Sequence, residues 1–241
     1  MKVFVINLPA STERAHRMST MLTKADIKFE FIKAISPADE YFLYSDRRNE
    51  QKTKKQFGYK LEDTEIACFA SHHLLWEKCL ELNEPILIME DNCELMANFS
   101  DHFQKLDQLT RKYQYIKLAV PRGRQQAKRK IIEKIDDSLS VVRLERRVGS
   151  TTAYAISPLA AKKFIAHAQQ FIEPVDDYMA KPYKHGVFTY CLYPWLACRA
   201  LVPSNIGARK NKQELRLIDK AYIETFRLYE QFKNKTCRYN H

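Results

Sequence analysis

Apolar runs and periodic apolar stripes alternate along the 241-residue chain, and most pairs read as a strand followed by a helix. Lys2–Leu8 is a short aliphatic run. Ser11 or Thr12 can then cap a helix whose Ala15, Met18, Leu22 and Ala25 share one face. Lys28–Ala34 predicts a second short strand. Asp63 or Thr64 can cap a strong helix carrying Ile66, Phe69, Ala70 and Leu80 on one side, with Trp76 nearby. Within it, His72 and His73 are adjacent and face different directions, so at least one is expected near the surface. Pro85 introduces the unbroken run Ile86-Leu87-Ile88-Met89, which ends in Glu90, Asp91, Asn92, Cys93 and Glu94. Such a run predicts a strand buried on both faces.

Phe99–Arg111 predicts a helix, and Tyr113–Ala119, Leu139–Leu144, Thr151–Ile156 and Val187–Leu192 predict strands. Ser157-Pro158 predicts a helix start, followed by Ala161, Phe164, Ile165 and Ala168 on a buried face. Residues 40–60 lack periodicity and predict a long mobile loop of the kind that serves as a lid. This alternation predicts an α/β fold with a Rossmann-like, mostly parallel sheet over residues 1–206. In such sheets ligands gather outside the carboxyl ends of the strands, where Glu90, Asp91 and Glu94 arrive. Arg14 and Arg17, three apart at the start of the first helix, add an anion site there.

The remainder, 207–241, differs in character. From Arg199 to His241 ten Lys and Arg face four acids, a surplus of six out of the chain's +11. Leu215, Ile218, Tyr222, Tyr229 and Phe232 mark an apolar stripe, so a basic amphipathic helical tail is expected. It either packs on the domain or lies on anionic lipid. A net charge this positive implies an anionic partner. The basic turn around residues 121–130 carries no interleaved aromatics, which argues against nucleic acid. Six cysteines without a Cys-x-x-Cys pair fit free thiols in a reducing cytoplasm. No stretch reaches transmembrane length, and the first apolar run is too short for a signal peptide.

Several blocks resemble glycosyltransferase family 25, the lipooligosaccharide galactosyltransferases. They are Val5-Ile6-Asn7-Leu8 with Arg14 and Arg17, Leu61–His72, Ile86–Asn92, Gly149-Ser150 with Tyr154–Ser157 and Ala160–Lys163, and Pro174-Val175-Asp176. The resemblance covers roughly residues 2–206, with the blocks in order. It implies a GT-A-like single domain that moves a hexose, galactose from UDP-galactose, onto a sugar of lipooligosaccharide at the cytoplasmic face of the inner membrane. By the same resemblance, Asp91 and Glu90 serve the chemistry with Asp176 as base or sugar contact. Asn7, Leu8, Arg14, Arg17, Glu65, Ser71, His72, Gly149 and Ser150 are then donor-binding, and Asp91 with Asn92 holds Mn²⁺ or Mg²⁺.

Asn92 stands where the family usually has aspartate. A neutral amide is the weaker ligand, so metal dependence is loosened or Glu94 compensates. A member that binds nucleotide-sugar without turnover is the alternative reading. For Asp176 the structural alternative is a helix cap.

Overall fold

In the computed structural model, which describes residues 1–121, 123, 125–147, 149–201 and 216–239, the apolar runs meet in an eight-stranded sheet. In chain order the elements are β1 (Lys2–Asn7), α1 (Thr12–Lys24), β2 (Glu30–Lys33), α2 (Glu50–Phe57), α3 (Asp63–Leu82), β3 (Ile86–Glu90), β4 (Cys93–Leu95), α4 (Phe99–Phe103), α5 (Leu106–Tyr113) and β5 (Tyr115–Lys117). There follow β6 (Arg129–Lys134), β7 (Ser140–Leu144), β8 (Ala153–Ile156), α6 (Pro158–His167), α7 (Val175–Met179), α8 (Pro182–His185), β9 (Tyr190–Tyr193), β10 (Ala197–Arg199) and α9 (Leu217–Tyr239). The sheet order is β2-β1-β3-β8-β5-β9-β7-β6, and β4 pairs with β10 in a separate ribbon. Traced outward from β1, β2, β3, β5, β6 and β9 run one way while β7 and β8 run against them. The sheet is therefore mixed, with most of its strands pointing in one direction.

Strand alternation divides the interior into two cores. Phe4, Ile6, Ile86, Ile88 and Ile156 face α3, α6 and α7, whereas Val3, Val5, Leu87, Met89 and Ala155 face α1 and α5. All four residues Ile86–Met89 are completely buried. At about 1.5–3 kcal/mol for each large apolar side chain buried, this strand is firmly seated, and Glu90 at its end is held accordingly.

Four expectations are corrected. Residues 40–60 are not a mobile loop. Asn49 caps α2 by accepting from Lys52 N–H at 2.9 Å, and Gly58 closes it at φ 74°. Phe171 N–H donates to Arg47 O at 2.7 Å, and Thr53 Oγ1 donates to Ile172 O at 2.9 Å. A helix of eight residues is too short to print a stripe, and its caps were the readable signal. The stretch 99–111 contains two helices, α4 and α5, with a break at Gln104 and Lys105. The strand expected from Val187 begins only at Tyr190, while β4, β6 and β10 were not foreseen.

The fourth correction concerns the histidines: both His72 and His73 are buried, because neighbouring segments cover both of their faces of α3, Tyr154 over His72 and Tyr44 and Arg47 over His73. Arg47 Nη1 donates to His73 Nε2 at 2.7 Å, which fixes that nitrogen as a neutral acceptor. His73 Nδ1 lies 3.4 Å from Glu77 Oε1 without hydrogen-bond geometry. Burial, then Arg47, pushes the imidazole down from 6.5 to about 4. A folded value below the unfolded one means this contribution is present above pH 6.5 and is lost as pH falls from 6.5 to 4. It amounts to about 3 kcal/mol. His73→Gln keeps an acceptor near Nε2 but does not titrate, so its unfolding free energy should fall less steeply over that window. Equal slopes in urea melts across the window would count against the assignment.

The tail forms α9 but docks by an unexpected face. Phe226 meets Phe57 edge-on at 5.7 Å between ring centroids, and Glu230 is buried against Lys181 at 2.6 Å and Tyr183 at 2.6 Å. The stripe residues Ile218, Tyr222, Tyr229 and Phe232 remain exposed. The 206/207 boundary, Leu215, Val148, Arg122 and Arg124 lie outside the described residues. No helix among the described residues is long and apolar enough to cross a membrane.

Candidate active site

Parallel pairing of β1 with β3 sets Ile6 opposite Glu90, so two strand ends and the start of α1 open onto one place. Asp91 N–H continues the ladder to Ile6 O at 3.1 Å. From α1, Arg14 Nη1 pairs with Asp91 Oδ1 at 3.1 Å and Arg17 Nη2 donates to Asp91 O at 2.7 Å. Burial raises the Asp91 carboxyl above its ordinary range, and Arg14 offsets only part of that. Beside it, Glu90 receives Thr151 Oγ1–H, Asn92 Nδ2–H at 2.9 Å and the His72 ring, whose Nε2 is 3.5 Å away. Burial pushes Glu90 up, but His72, Thr151 and Asn92 together outweigh it and hold the group at about 2.

These groups line a cleft of about 1080 Å³, together with Leu8, Glu65, Ser71, Ser150 and Asp176. Asn7, Arg17 and Gly149 are absent from its wall and act from behind it. Asn7 Nδ2 donates to Leu8 O at 2.8 Å, and Arg17 holds the Asp91 backbone. Ser71 Oγ accepts from Ile35 N–H at 2.9 Å and donates to Ala67 O at 2.8 Å, tying the rim after β2 to α3. Glu65 Oε2 accepts from Glu62 N–H at 3.1 Å, while its Oε1 is buried without a partner. Glu94 sits exposed on β4, outside the cleft wall, with Cys198 Sγ 3.9 Å from its Oε2.

Asp176 enters from the first turn of α7. The cap of α7 is Pro174 and not Asp176, so the capping alternative fails. Instead Asp176 Oδ2 accepts from Ser150 N–H at 3.2 Å and Oδ1 from Asp177 N–H at 3.0 Å. Gly149 is required for this approach, since a Cβ there would lie 2.6 Å from Asp176 Oδ2. Ser150 adopts φ 85°, a conformation costing a side-chain-bearing residue on the order of 1–3 kcal/mol. Lys117 supports that turn. Completely buried, it donates to Gly149 O at 3.0 Å and Ser150 O at 2.8 Å, and burial lowers it to about 8.

Sequence reasoning missed Lys117, although a charged residue inside the apolar run Tyr115–Ala119 was a visible signal. It also missed Thr151, for which no signal existed. Among other cleft residues it had not assigned are Thr64 and Cys68 from α3, Thr152, and Arg199 from β10.

A carboxylate cluster bound by arginines at strand ends, with a held aspartate lining the same cleft, is fit to grip a phosphate-bearing ligand and act on a hydroxyl beside it. Residues 1–179 match the model of "Glycosyltransferase family 25 (LPS biosynthesis protein)". The chain belongs to glycosyltransferase family 25. Similar curated proteins include the lipooligosaccharide biosynthesis protein lic2B of Haemophilus influenzae, 28% identical over 105 residues, covering 44% of this chain and 38% of that one. Procollagen galactosyltransferase 2 of Mus musculus is 27% identical over 204 residues, covering 80% of this chain and 32% of that one. The chain thus spans about a third of the length of the curated proteins it matches.

Proposed function

We propose that the chain is a hexosyltransferase that moves galactose from UDP-galactose to a sugar hydroxyl of lipooligosaccharide, in a GT-A-like arrangement. The observation that carries this reading is the meeting of Arg14, Glu90 and Asp91 with Asp176 in one cleft. The names of the two relatives, a lipooligosaccharide biosynthesis protein and a galactosyltransferase, support the acceptor and donor assignments.

In this reading Arg14 neutralises the diphosphate as it departs, and Arg17 keeps the Asp91 backbone in place. Asp176, oriented by Ser150 N–H, takes the proton of the accepting hydroxyl or fixes the sugar. Leu8, Glu65, Ser71, His72 and Ser150 shape the donor pocket from its walls, with Asn7 and Gly149 behind. An all-oxygen set suits a hard cation, and Asn92 Oδ1 is a buried acceptor without a donor. Asp91 and Asn92 would hold Mn²⁺ or Mg²⁺, which supplies further charge neutralisation at the diphosphate.

UDP with Mn²⁺ should raise the melting temperature by binding the native state, and Arg14→Ala should diminish the rise. A panel of UDP-sugars assayed for UDP release then names the donor. No thermal shift with any nucleoside diphosphate would overturn the reading. A shift with no release of UDP from any sugar would identify a nucleotide-sugar-binding member without turnover.

The exposed stripe of α9, flanked by Lys220, Arg227, Lys233 and Lys235, supports placement on the anionic cytoplasmic face of the inner membrane. Each basic residue contributes on the order of 1 kcal/mol at such a surface. The full chain should co-sediment with anionic vesicles and not with neutral ones. Ile218→Glu with Phe232→Glu should abolish this without lowering the melting temperature, since both side chains are exposed. Unchanged sedimentation would refute the placement.

A further inference from the structure

Three side chains in the cleft wall differ in chemistry from the all-oxygen set at Asp91 and Asn92. Cys68 and His72 lie one turn apart on α3, at i and i+4, so both project from the same face. That face looks at the end of β3, where Glu90 stands. One ligand atom from each, Cys68 Sγ, a His72 ring nitrogen and a Glu90 carboxylate oxygen, fall within 4.8 Å of one another. All three residues line the cleft, so a cation can reach them.

We propose that Cys68, His72 and Glu90 form a binding site for a thiophilic divalent cation, of which Zn²⁺ is the type. Tetrahedral Zn²⁺ with bonds of about 2.0–2.3 Å places neighbouring ligand atoms roughly 3.3–3.6 Å apart. His72 Nε2 and Glu90 Oε1 already stand 3.5 Å apart, and Cys68 Sγ lies within 4.8 Å of a ligand atom of each. The imidazole is held in a ligating orientation by two further side chains. Trp76 Nε1–H donates to Tyr154 Oη at 3.0 Å, and Tyr154 Oη meets His72 Nδ1 at 2.9 Å. In the free chain Nε2–H faces Glu90; on binding, the imidazole takes the Nδ1–H tautomer, given to the Tyr154 oxygen, and so frees Nε2 for the cation, the outer-shell arrangement that orients metal-binding histidines.

Binding exchanges the Cys68 S–H proton, released to solvent, for an S–metal bond. Three protein ligands leave a fourth position facing the cleft, where an anionic oxygen such as a phosphate or carboxylate would sit. Thiolate and imidazole select against Mg²⁺ and Mn²⁺, which separates this site from the oxygen set at Asp91 and Asn92. The site shares His72 and Glu90 with the transferase reading but does not rest on it, since a chain that turns over no sugar would still bind the cation.

Cobalt(II) is the probe. Chelator-treated full chain titrated with Co²⁺ should develop a near-ultraviolet thiolate-to-cobalt charge-transfer band that saturates at one equivalent and is removed by Zn²⁺ but not by Mg²⁺. Cys68→Ser should lose the band and bind Co²⁺ at least tenfold more weakly, with far-ultraviolet circular dichroism unchanged. Cys198→Ser, the control at another thiol facing a carboxylate, should keep it. X-ray absorption at the zinc edge of the wild-type chain, which needs no substitution, should show one sulfur at about 2.3 Å. No thiolate band or no sulfur shell in the wild type, or a band that persists in Cys68→Ser, would overturn the site.

Discussion

Asp176→Asn is expected to lower turnover by roughly two orders of magnitude or more while leaving the melting temperature nearly where it was. The amide keeps one oxygen, for Ser150 N–H or for Asp177 N–H, where the carboxylate offers a separate oxygen to each, so the local cost is one hydrogen bond of about 1 kcal/mol. What disappears is the negative charge, and with it the capacity to take a proton or to hold a sugar hydroxyl strongly. UDP release from UDP-galactose, measured alongside a thermal melt, checks both halves. Retained turnover would shift the role to another cleft carboxylate. Asp177 is a poor candidate, since it pairs with Arg147 at 2.9 Å and does not line the cleft. A fall in turnover with a fall in melting temperature larger than one lost hydrogen bond explains would make Asp176 a structural residue.

Parts of this site were legible in the chain because they obey local rules. An apolar run too continuous for a one-faced strand must be buried on both faces, and acids at its end must emerge at the sheet's edge. Ile86–Asp91 follows that rule, and Arg14 and Arg17 follow from helical spacing. Asp176 came instead from a resemblance, since Pro-Val-Asp alone reads as a cap as readily as a base. The support beneath it was illegible for a physical reason. Lys117, Gly149 and Ser150 meet through β5 and the turn before β8, a contact between segments about thirty residues apart that no periodicity encodes. His73 failed for the converse reason. Helical geometry gives a side chain its direction, but whether that direction is wet depends on how many neighbours enclose the helix. Over the His73 face of α3 lie Tyr44 and Arg47, from the stretch that looked like a free loop. The tail shows the same limit. Its regular apolar stripe was a clear signal in the sequence, yet Phe226 and Glu230 beside the stripe make the buried contacts, with Tyr222 of the stripe reaching Lys55.

That glutamate leads to the largest expected effect on stability. Lys181→Met should cost roughly 3–5 kcal/mol, the range for breaking a buried ion pair from one side. Lys181 is nearly inaccessible and sits between Glu173 and Glu230, with the Phe57 ring 4.8 Å from its ammonium group. Burial opposes the charged Glu173 carboxylate, but Lys181 and Lys184 outweigh it and hold the group below the ordinary carboxylate range. With Met at 181, Lys184 alone faces two buried carboxylates, at 2.5 Å from Glu173 and 3.8 Å from Glu230. Glu230→Gln in the same background should restore part of the loss by removing one of those charges, and urea melts of the two single variants and the double close the cycle. A chain ending at Asn211 should lose less than Lys181→Met, although it lacks all of α9. Truncation takes away the Glu230 charge together with its contact and leaves Lys181 paired with Glu173, whereas the point change strands charges where water cannot reach them. If truncation proves the more costly of the two, the apolar contact of Phe226 with Phe57 holds the helix, and the ion network is secondary.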